Sequence, residues 1–315
     1  MESTNSEGAR GLAFAHLSDP HLTSLRDLRR RELIGKRLLG YLSWRRGRRH
    51  VHCDGILAAL QRALATHPDE EIAVTGDLTH LGTPDEYREA RDWLAALGPG
   101  PRVTVVPGNH DLYVPVRWED TLAEWAAHMC GDGDGDDRPG FPFERRRGPV
   151  SFIGVNTAYP SAPLLATGRI DGDQLDGIGR ALARAGEAGR FRVVLMHHPP
   201  QPDAVSRRKS LLAAGRFRAL VRRHGAELVL HGHAHRRLRG EIDGPRGPVP
   251  VLGAPSVSQR THDPARNAAY HRCVVTPTPT GWQLAVTVHA YDTETGDFTT
   301  RADAGHTLEI PRQSA

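Results

Sequence analysis

Leu12-Ala13-Phe14-Ala15-His16-Leu17-Ser18-Asp19-Pro20-His21 is an apolar run that breaks into two side chains able to bind a metal, Asp19 and His21. The same design recurs four times. Glu71 to Thr75 leads into Gly76-Asp77, Val103 to Val106 into Gly108-Asn109-His110-Asp111, Val193 to Met196 into His197-His198-Pro199, and Glu227 to Leu230 into Gly232-His233-Ala234-His235. Short Val-, Ile- and Leu-rich runs ended by Gly, Pro or Asp predict buried strands. The polar residues then fall in loops at the carboxyl ends of those strands, the edge at which open α/β sheets gather a binding site.

The residue types define a chemistry. Asp19 and Asp77 are anionic oxygen donors, Asn109 offers an amide oxygen, and His21, His197, His233 and His235 offer imidazole nitrogens; no cysteine is among them, which suits hard to borderline divalent cations. Seven donors exceed what one ion needs if water is also to bind. They suit two ions about 3.5 to 4 Å apart sharing a carboxylate, a clamp for the attacking and leaving oxygens of phosphoryl transfer, with a bridging water acidified to hydroxide near neutral pH.

The order Asp-x-His, Gly-Asp, Gly-Asn-His-Asp, His-x-Pro, Gly-His-x-His resembles the calcineurin-like metallophosphoesterase superfamily over roughly residues 11–260. The resemblance implies a four-layer α/β/β/α sandwich. It also implies that Asp19, His21, Asp77 and His235 hold one metal and Asp77, Asn109, His197 and His233 the other, Asp77 bridging. His110 matches the family's non-ligand histidine that contacts phosphate and assists the leaving group, and Asp111 would orient it. Pro20 stands where the family more often has another apolar residue. The stretch Gly76-Asp77-Leu78-Thr79-His80-Leu81-Gly82-Thr83-Pro84-Asp85-Glu86-Tyr87 and the run His197-His198-Pro199-Pro200 look most like the bacterial branch of cyclic-nucleotide and glycerophosphodiester phosphodiesterases. The resemblance implies two divalent ions (manganese, iron, zinc or a mixed pair) and a small-molecule phosphodiester. Its alternatives are a pyrophosphatase of a nucleotide- or lipid-linked substrate such as UDP-diacylglucosamine and a non-enzymatic scaffold of the same fold; the retained donors and His110 count against the scaffold.

Helices are expected at Asp54 to Thr66, Pro84 to Ala96, Trp118 to His128, Asp173 to Ala185 and Ser210 to His224, with Asp54, Thr83 and Ser210 as start signals. After Gly244 only strand-like pieces follow, Val249 to Leu252, Cys273 to Thr276 and Trp282 to Tyr291, read as a second sheet packed on the first. The motifs span most of the 315 residues, so residues 11–310 are expected to form a single domain behind a disordered tail, residues 1–10. Three widely spaced cysteines, Cys53, Cys130 and Cys273, support neither a disulfide framework nor a zinc ribbon. With no signal pattern and no apolar run of spanning length, a soluble cytoplasmic protein is expected.

Charge is uneven: residues 26–49 carry ten Arg or Lys against two acidic residues, whereas the whole chain is +4. Leu28, Ile34, Leu38, Tyr41, Leu42 and Trp44 are interleaved, and Gly35 and Gly40 interrupt their helical spacing. Following the first metal motif directly, this insert should border the site. It is either a solvated face or a surface for a substrate phosphate or an anionic membrane. Arg45, Arg46, His80 and His198 are candidate substrate contacts. Arg145-Arg146-Arg147 and Arg207-Arg208-Lys209 lack the aromatic interleaving of a single-strand nucleic-acid platform, so no specific nucleic-acid partner is expected. His231 reads as a packed histidine, and Asp132-Gly133-Asp134-Gly135-Asp136-Asp137 as a solvated acidic loop without the glycine and glutamate of a calcium loop.

Overall fold

The computed structural model describes residues 11–22, 25, 28, 33–46, 54–133 and 140–313, leaving aside the Arg46 and Asp54 side chains. The expected tail, Arg26, Arg48, Arg49, Cys53 and most of the acidic run lie outside the described residues. Twelve strands and six helices are described: β1 Leu12–Leu17, α1 Lys36–Arg46, α2 Asp54–Ala65, β2 Glu71–Val74, α3 Pro84–Leu97, β3 Val103–Val105, α4 Ala126–Met129, β4 Phe143–Arg147, β5 Val150–Gly154, α5 Gly172–Glu187, β6 Phe191–Leu195, α6 Ala214–His224, β7 Leu228–His231, β8 Leu238–Gly244, β9 Gly247–Gly253, β10 Ala269–Pro277, β11 Gly281–Asp292 and β12 Asp297–Pro311. They form two six-stranded sheets, ordered β12-β11-β10-β1-β2-β3 and β4-β5-β6-β7-β9-β8. In each, the strands that lead into the site are parallel: β1, β2 and β3 in one, and β6 and β7, flanked by parallel β5 and β9, in the other.

The sheets pack face to face through one core, in which Phe14 meets Phe152 and Phe191 meets Trp282 edge to face at 5.1 and 5.6 Å between ring centres. Alternation explains the layering. Val193 and Leu195 point into the core between the sheets, while Val194 points outward to join Ile178, Leu182, Phe217 and Val221 of α5 and α6. Covered on both faces, β5, β6 and β7 are buried along their whole length and mostly apolar, as parallel strands inside a sandwich are. On the other side Leu60, Leu64, Tyr87 and Leu94 of α2 and α3 join the core of the first sheet. Each large apolar side chain so buried contributes about 1.5–3 kcal/mol. The four-layer sandwich is the architecture observed.

Four expectations change. The strands after Gly244 do not form a sheet of their own: β10, β11 and β12 extend the first sheet antiparallel from β1, and only β9 joins the second. The expected helix from Trp118 to His128 is broken into 3-10 turns at Trp118–Asp120 and Leu122–Trp125 before α4, because the Thr121 hydroxyl donates back to the Arg117 carbonyl at 2.7 Å. Ser210 does not start α6; it follows a 3-10 turn, Arg207–Lys209, and the helix begins at Ala214. Gly40 does not interrupt α1. A Cβ there would lie 2.6 Å from Leu81 Cδ2 and 2.7 Å from the Tyr113 hydroxyl, so the glycine lets the helix lie close against both.

Candidate metal centre

Left-handed backbone marks the place where five strand ends meet. Asp19, His21, Asp77, His233 and His235 all have positive φ, between 46° and 66°. Side chains with a Cβ rarely adopt this conformation, so the tertiary contacts around them must hold it. Those contacts are on hand. The loop after β1 is laced to the loop after β2 by Asp19 N–H to Gly76 O (3.0 Å), His21 N–H to Asp77 O (3.1 Å) and Leu22 N–H to Leu78 O (2.7 Å). Asp77 Oδ1 accepts from His110 N–H at 2.7 Å, and Asp19 Oδ2 accepts from Ser18 Oγ at 2.5 Å and His233 N–H at 3.0 Å. Glycines make the approach possible: a Cβ on Gly108 would sit 2.2 Å from Asp77 Oδ1, and one on Gly232 2.4 Å from Asp19 Oδ2.

The imidazoles are aimed by carbonyl groups, which can only accept hydrogen bonds. His21 Nδ1 faces Thr79 O at 3.1 Å, His197 Nδ1 faces Thr75 O at 2.6 Å, and His233 Nε2 faces Lys209 O at 3.0 Å. Each of these nitrogens therefore carries the proton. In the neutral imidazole the opposite nitrogen is then the one with a lone pair to offer, the outer-layer arrangement that fixes the tautomer of a metal-binding histidine.

Asp19, His21, Asp77 and His235 form one group of donor atoms within 4.8 Å of one another, and Asp77, His197 and His233 a second; Asp77 belongs to both. His235 Nε2 lies 3.1 Å from Asp19 Oδ1 and 3.1 Å from His21 Nε2, and His197 Nε2 lies 3.2 Å from Asp77 Oδ2 and 3.3 Å from Asn109 Oδ1. Buried acceptors crowded together in this way repel each other unless a positive charge lies among them, and the oxygen-and-imidazole set suits borderline divalent cations. The residues thus fit the metal that the motifs imply. The field agrees. Burial opposes a charge on His197, yet the adjacent Asp77 carboxylate raises its pKa to about 9, so positive charge is favoured at this spot and a metal binding there would displace the Nε2 proton. His233 goes the other way: burial, with His198 and His197 beside it, keeps it neutral.

His110 stands beside the cage rather than in it. Its Nδ1 is 2.6 Å from His80 O, its ring meets His21 edge-on at 5.0 Å between centres, and it stacks on Tyr113 at 5.4 Å. Asp111 is fully buried and acts on the loops: its carboxylate accepts from Gly108 N–H (2.9 Å) and Thr79 N–H (2.8 Å). Burial, with Asp77 beside it, pushes its pKa up to about 7. His80, Asn109 and His110 line a cavity of about 240 Å³ whose other wall is α1, so the described part of the basic insert borders the site as expected. A larger groove of about 720 Å³, lined by residues such as Arg237, Arg260 and Arg301, includes none of the converging donors.

The remaining sequence candidates separate. His198 is buried behind the cage, with Nδ1 2.8 Å from Thr157 Oγ1 and its ring 4.4 Å from that of His233; it does not line the cavity. Arg45 lies exposed on α1 over the Tyr41 ring, and the Arg46 side chain is outside the described residues. His231 is packed as expected, its ring against Gly253 and its Nε2 2.9 Å from Gln201 Nε2. Arg145 is a buried brace, donating to Cys130 O, Gly100 O and Ala127 O.

Glu86 was missed. Fully buried, it accepts from the backbone N–H groups of His80 (2.6 Å), Leu81 (3.1 Å) and Thr83 (2.9 Å), and so shapes the turn that presents His80. The signal was there: Thr83-x-x-Glu86 is a capping box, and the structure has both of its bonds at the start of α3.

Among the described residues no helix is long and apolar enough to cross a membrane. The chain matches the calcineurin-like phosphoesterase family over residues 12–237. It is 28% identical over 244 residues to a probable cyclic nucleotide phosphodiesterase of Synechococcus sp., covering 76% of this chain and 84% of that one. It is 25% identical over 235 residues to the glycerophosphodiester phosphodiesterase GpdQ of Enterobacter lignolyticus, covering 71% of each. A dimetal phosphatase from Danio rerio shares the fold, with a TM-score of 0.59 at 16% identity over 92% of this chain and 98% of that one. The chain belongs to the calcineurin-like phosphoesterase family.

Proposed function

We propose that this member of the family is a dinuclear metal-dependent phosphodiesterase acting on a cyclic nucleotide or a glycerophosphodiester. The observation that carries this reading is the pair of donor groups joined at Asp77. On this reading Asp19, His21, Asp77 and His235 would hold one divalent ion, and Asp77, His197 and His233 with Asn109 would hold the second. The likeness to relatives named for cyclic nucleotides and glycerophosphodiesters supports the substrate class.

Ions held by these residues would supply Lewis-acid polarisation of the phosphoryl oxygens and lower the pKa of water. The rest falls to the chain. Water adds to phosphorus and gives up a proton to solvent, the bond to the leaving oxygen breaks, and that oxygen takes up a proton to depart as an alcohol. His110 can provide it: with Nδ1–H held by His80 O, the imidazolium form carries its second proton on Nε2. Glu86 and Asp111 keep the two loops in register so that His80, Asn109 and His110 share one wall.

The test is metal analysis with an activity panel on purified protein supplied with Mn²⁺, Fe²⁺, Zn²⁺ or Mg²⁺. Its substrates are bis-p-nitrophenyl phosphate, p-nitrophenyl phosphate, cyclic AMP, glycerophosphodiesters and UDP-diacylglucosamine. Two ions per chain and preference for diesters are expected, with Asp77→Ala losing both ions and activity by orders of magnitude. Preference for the monoester or the pyrophosphate would overturn the substrate class. Full metal content and turnover in Asp77→Ala would overturn the bridge.

A further inference from the structure

Helix α1 is held by its polar residues and its glycine. Lys36 Nζ donates to Ser161 O and Oγ at 3.0 and 3.1 Å and lies 4.4 Å from the centre of the Tyr113 ring. Arg37 donates to the carbonyls of Leu81 (3.1 Å) and Gly82, and Gly40 lies close against Leu81 and Tyr113. Its leucines are left outside, the reverse of the usual amphipathic arrangement. Seven large apolar side chains are exposed among the described residues. Six of them belong to α1 with its lead-in (Ile34, Leu38, Leu39, Leu42) or to the Leu164–Leu165 turn. Leu39, half exposed, and Leu164, 82% exposed, line the same 240 Å³ cavity as Asn109 and His110, together with Leu165. Scattered exposed leucines are ordinary, but a concentration of them at one opening marks a binding surface.

Resting on the phosphodiesterase reading above, we infer that this apolar collar seats a hydrocarbon substituent of the substrate. The phosphate lies at the donor cage and an alkyl or acyl chain on one of its ester arms runs out along Leu39 and Leu165. For Leu39, Leu164 and Leu165 the opening favours a substrate over a membrane or a second copy of the chain, because these three line the same cavity as Asn109 and His110, whereas Ile34, Leu38 and Leu42 lie outside it. The anion and the chain also find complementary groups on one wall, Lys36 and Leu39 being neighbours on α1.

The test varies the chain alone. Methyl, butyl and octyl p-nitrophenyl phosphodiesters share a leaving group, and below their micelle concentrations the metal-loaded protein should show kcat/KM rising about tenfold or more from methyl to octyl. Each added CH₂ can raise it by at most about fourfold, the equivalent of ~0.8 kcal/mol per buried CH₂. The double variant Leu39→Gln/Leu165→Gln, altered only at partly exposed positions, should flatten the rise while keeping the wild-type melting temperature. Calorimetric binding of octyl methyl phosphate against dimethyl phosphate reads the same preference without turnover. Octyl at least tenfold tighter supports the collar, and equal affinity overturns it, whichever esters are hydrolysed. Turnover of the methyl ester with no chain-length dependence overturns the collar and leaves the phosphodiesterase reading standing. Failure of every ester with every metal, with octyl still bound tighter, counts against the phosphodiesterase reading alone. A flat profile joined to vesicle binding or dimerisation that the double variant abolishes would reassign the leucines to a membrane or to a second copy, and overturns the proposal.

Discussion

At the scale of single residues, position and chemistry can be tested apart. His110 touches the cage without belonging to either donor group, so His110→Ala should keep its metal and lose about 10² to 10⁴ in turnover. The loss should shrink for p-nitrophenyl esters, whose leaving group needs no proton; metal analysis beside rates on good and poor leaving groups reads both parts. An equal loss on both would make His110 a charge stabiliser instead of an acid. Gly232 is the opposite case, a residue with no functional group on which the geometry depends. A Cβ there would lie 1.8 Å from Ser18 Oγ and 2.4 Å from Asp19 Oδ2. Gly232→Ala should therefore push Asp19 off its place and weaken metal binding about 10- to 100-fold, the scale of a disturbed outer layer around a metal. Metal titration followed by activity would show it, and an unchanged affinity would mean that Ser18 moves aside freely. Donor types and strand-end positions made the seven candidate ligands legible from sequence. The need for glycine at position 232 was not legible, because Ser18 lies more than two hundred residues away in the chain.

At the scale of elements, the antiparallel register of β1 on β10 sets His16 opposite His271. The rings lie 5.5 Å apart between centres with Nδ1 to Nδ1 at 3.3 Å, and His16 Nε2 is 2.9 Å from Thr75 Oγ1. Burial, and then the positive groups around it beginning with Arg237, lowers His271 to about 3; burial and then His271 lower His16 as well. Free histidines in the unfolded chain take up protons near pH 6.5. The folded state therefore binds fewer protons below that pH, and the stability associated with this pair is complete above about 6.5 and declines as pH falls toward 3. Each histidine can contribute a slope of about 1.4 kcal/mol per pH unit in that window. Urea midpoints at pH 7 and pH 5 should fall less in His271→Gln than in wild type, and equal falls would show that other groups carry the acid sensitivity. The pairing itself was hidden in the sequence. Cys273 to Thr276 reads as a strand in any sheet, and only contact with a segment about 255 positions earlier assigns it to the first. Strands β4 and β12 were missed for another reason: each has an exposed or charged side, as in Phe-Glu-Arg-Arg-Arg, that hides the apolar alternation.

At the scale of the whole molecule, the two sheets meet in a shared apolar core, and at the end away from the donor cage they are also joined by a buried polar clamp. Arg192, at the start of β6, is 1% exposed and pairs with Glu227, just before β7, through Nη2 to Oε1 at 2.8 Å and Nε to Oε2 at 2.9 Å. Its Nη1 donates to Leu182 O and His224 O, tying in α5 and α6. The residue that brings in the first sheet is Gln313, which follows β12. Its N–H donates to Glu227 Oε1 at 3.2 Å and its Oε1 accepts from Arg246 N–H at 3.1 Å. Gly225 and Gly244 make room, since a Cβ on either would come within 2.3 and 2.8 Å of Gln313 oxygens. Removing Glu227 leaves the guanidinium buried without its counter-charge, a change that costs about 3–5 kcal/mol, whereas replacing both partners by apolar residues of similar volume can be nearly neutral. Glu227→Ala should accordingly lower the urea midpoint sharply with little change in slope, and Arg192→Met/Glu227→Leu should restore most of the loss. Because the clamp lies at the opposite ends of β6 and β7 from His197 and His233, the metal-loaded Glu227→Ala protein should retain wild-type kcat at temperatures where it remains folded. A variant that stays folded but loses turnover would show that the sheet packing at this end sets the spacing of the metal-bearing loops at the other.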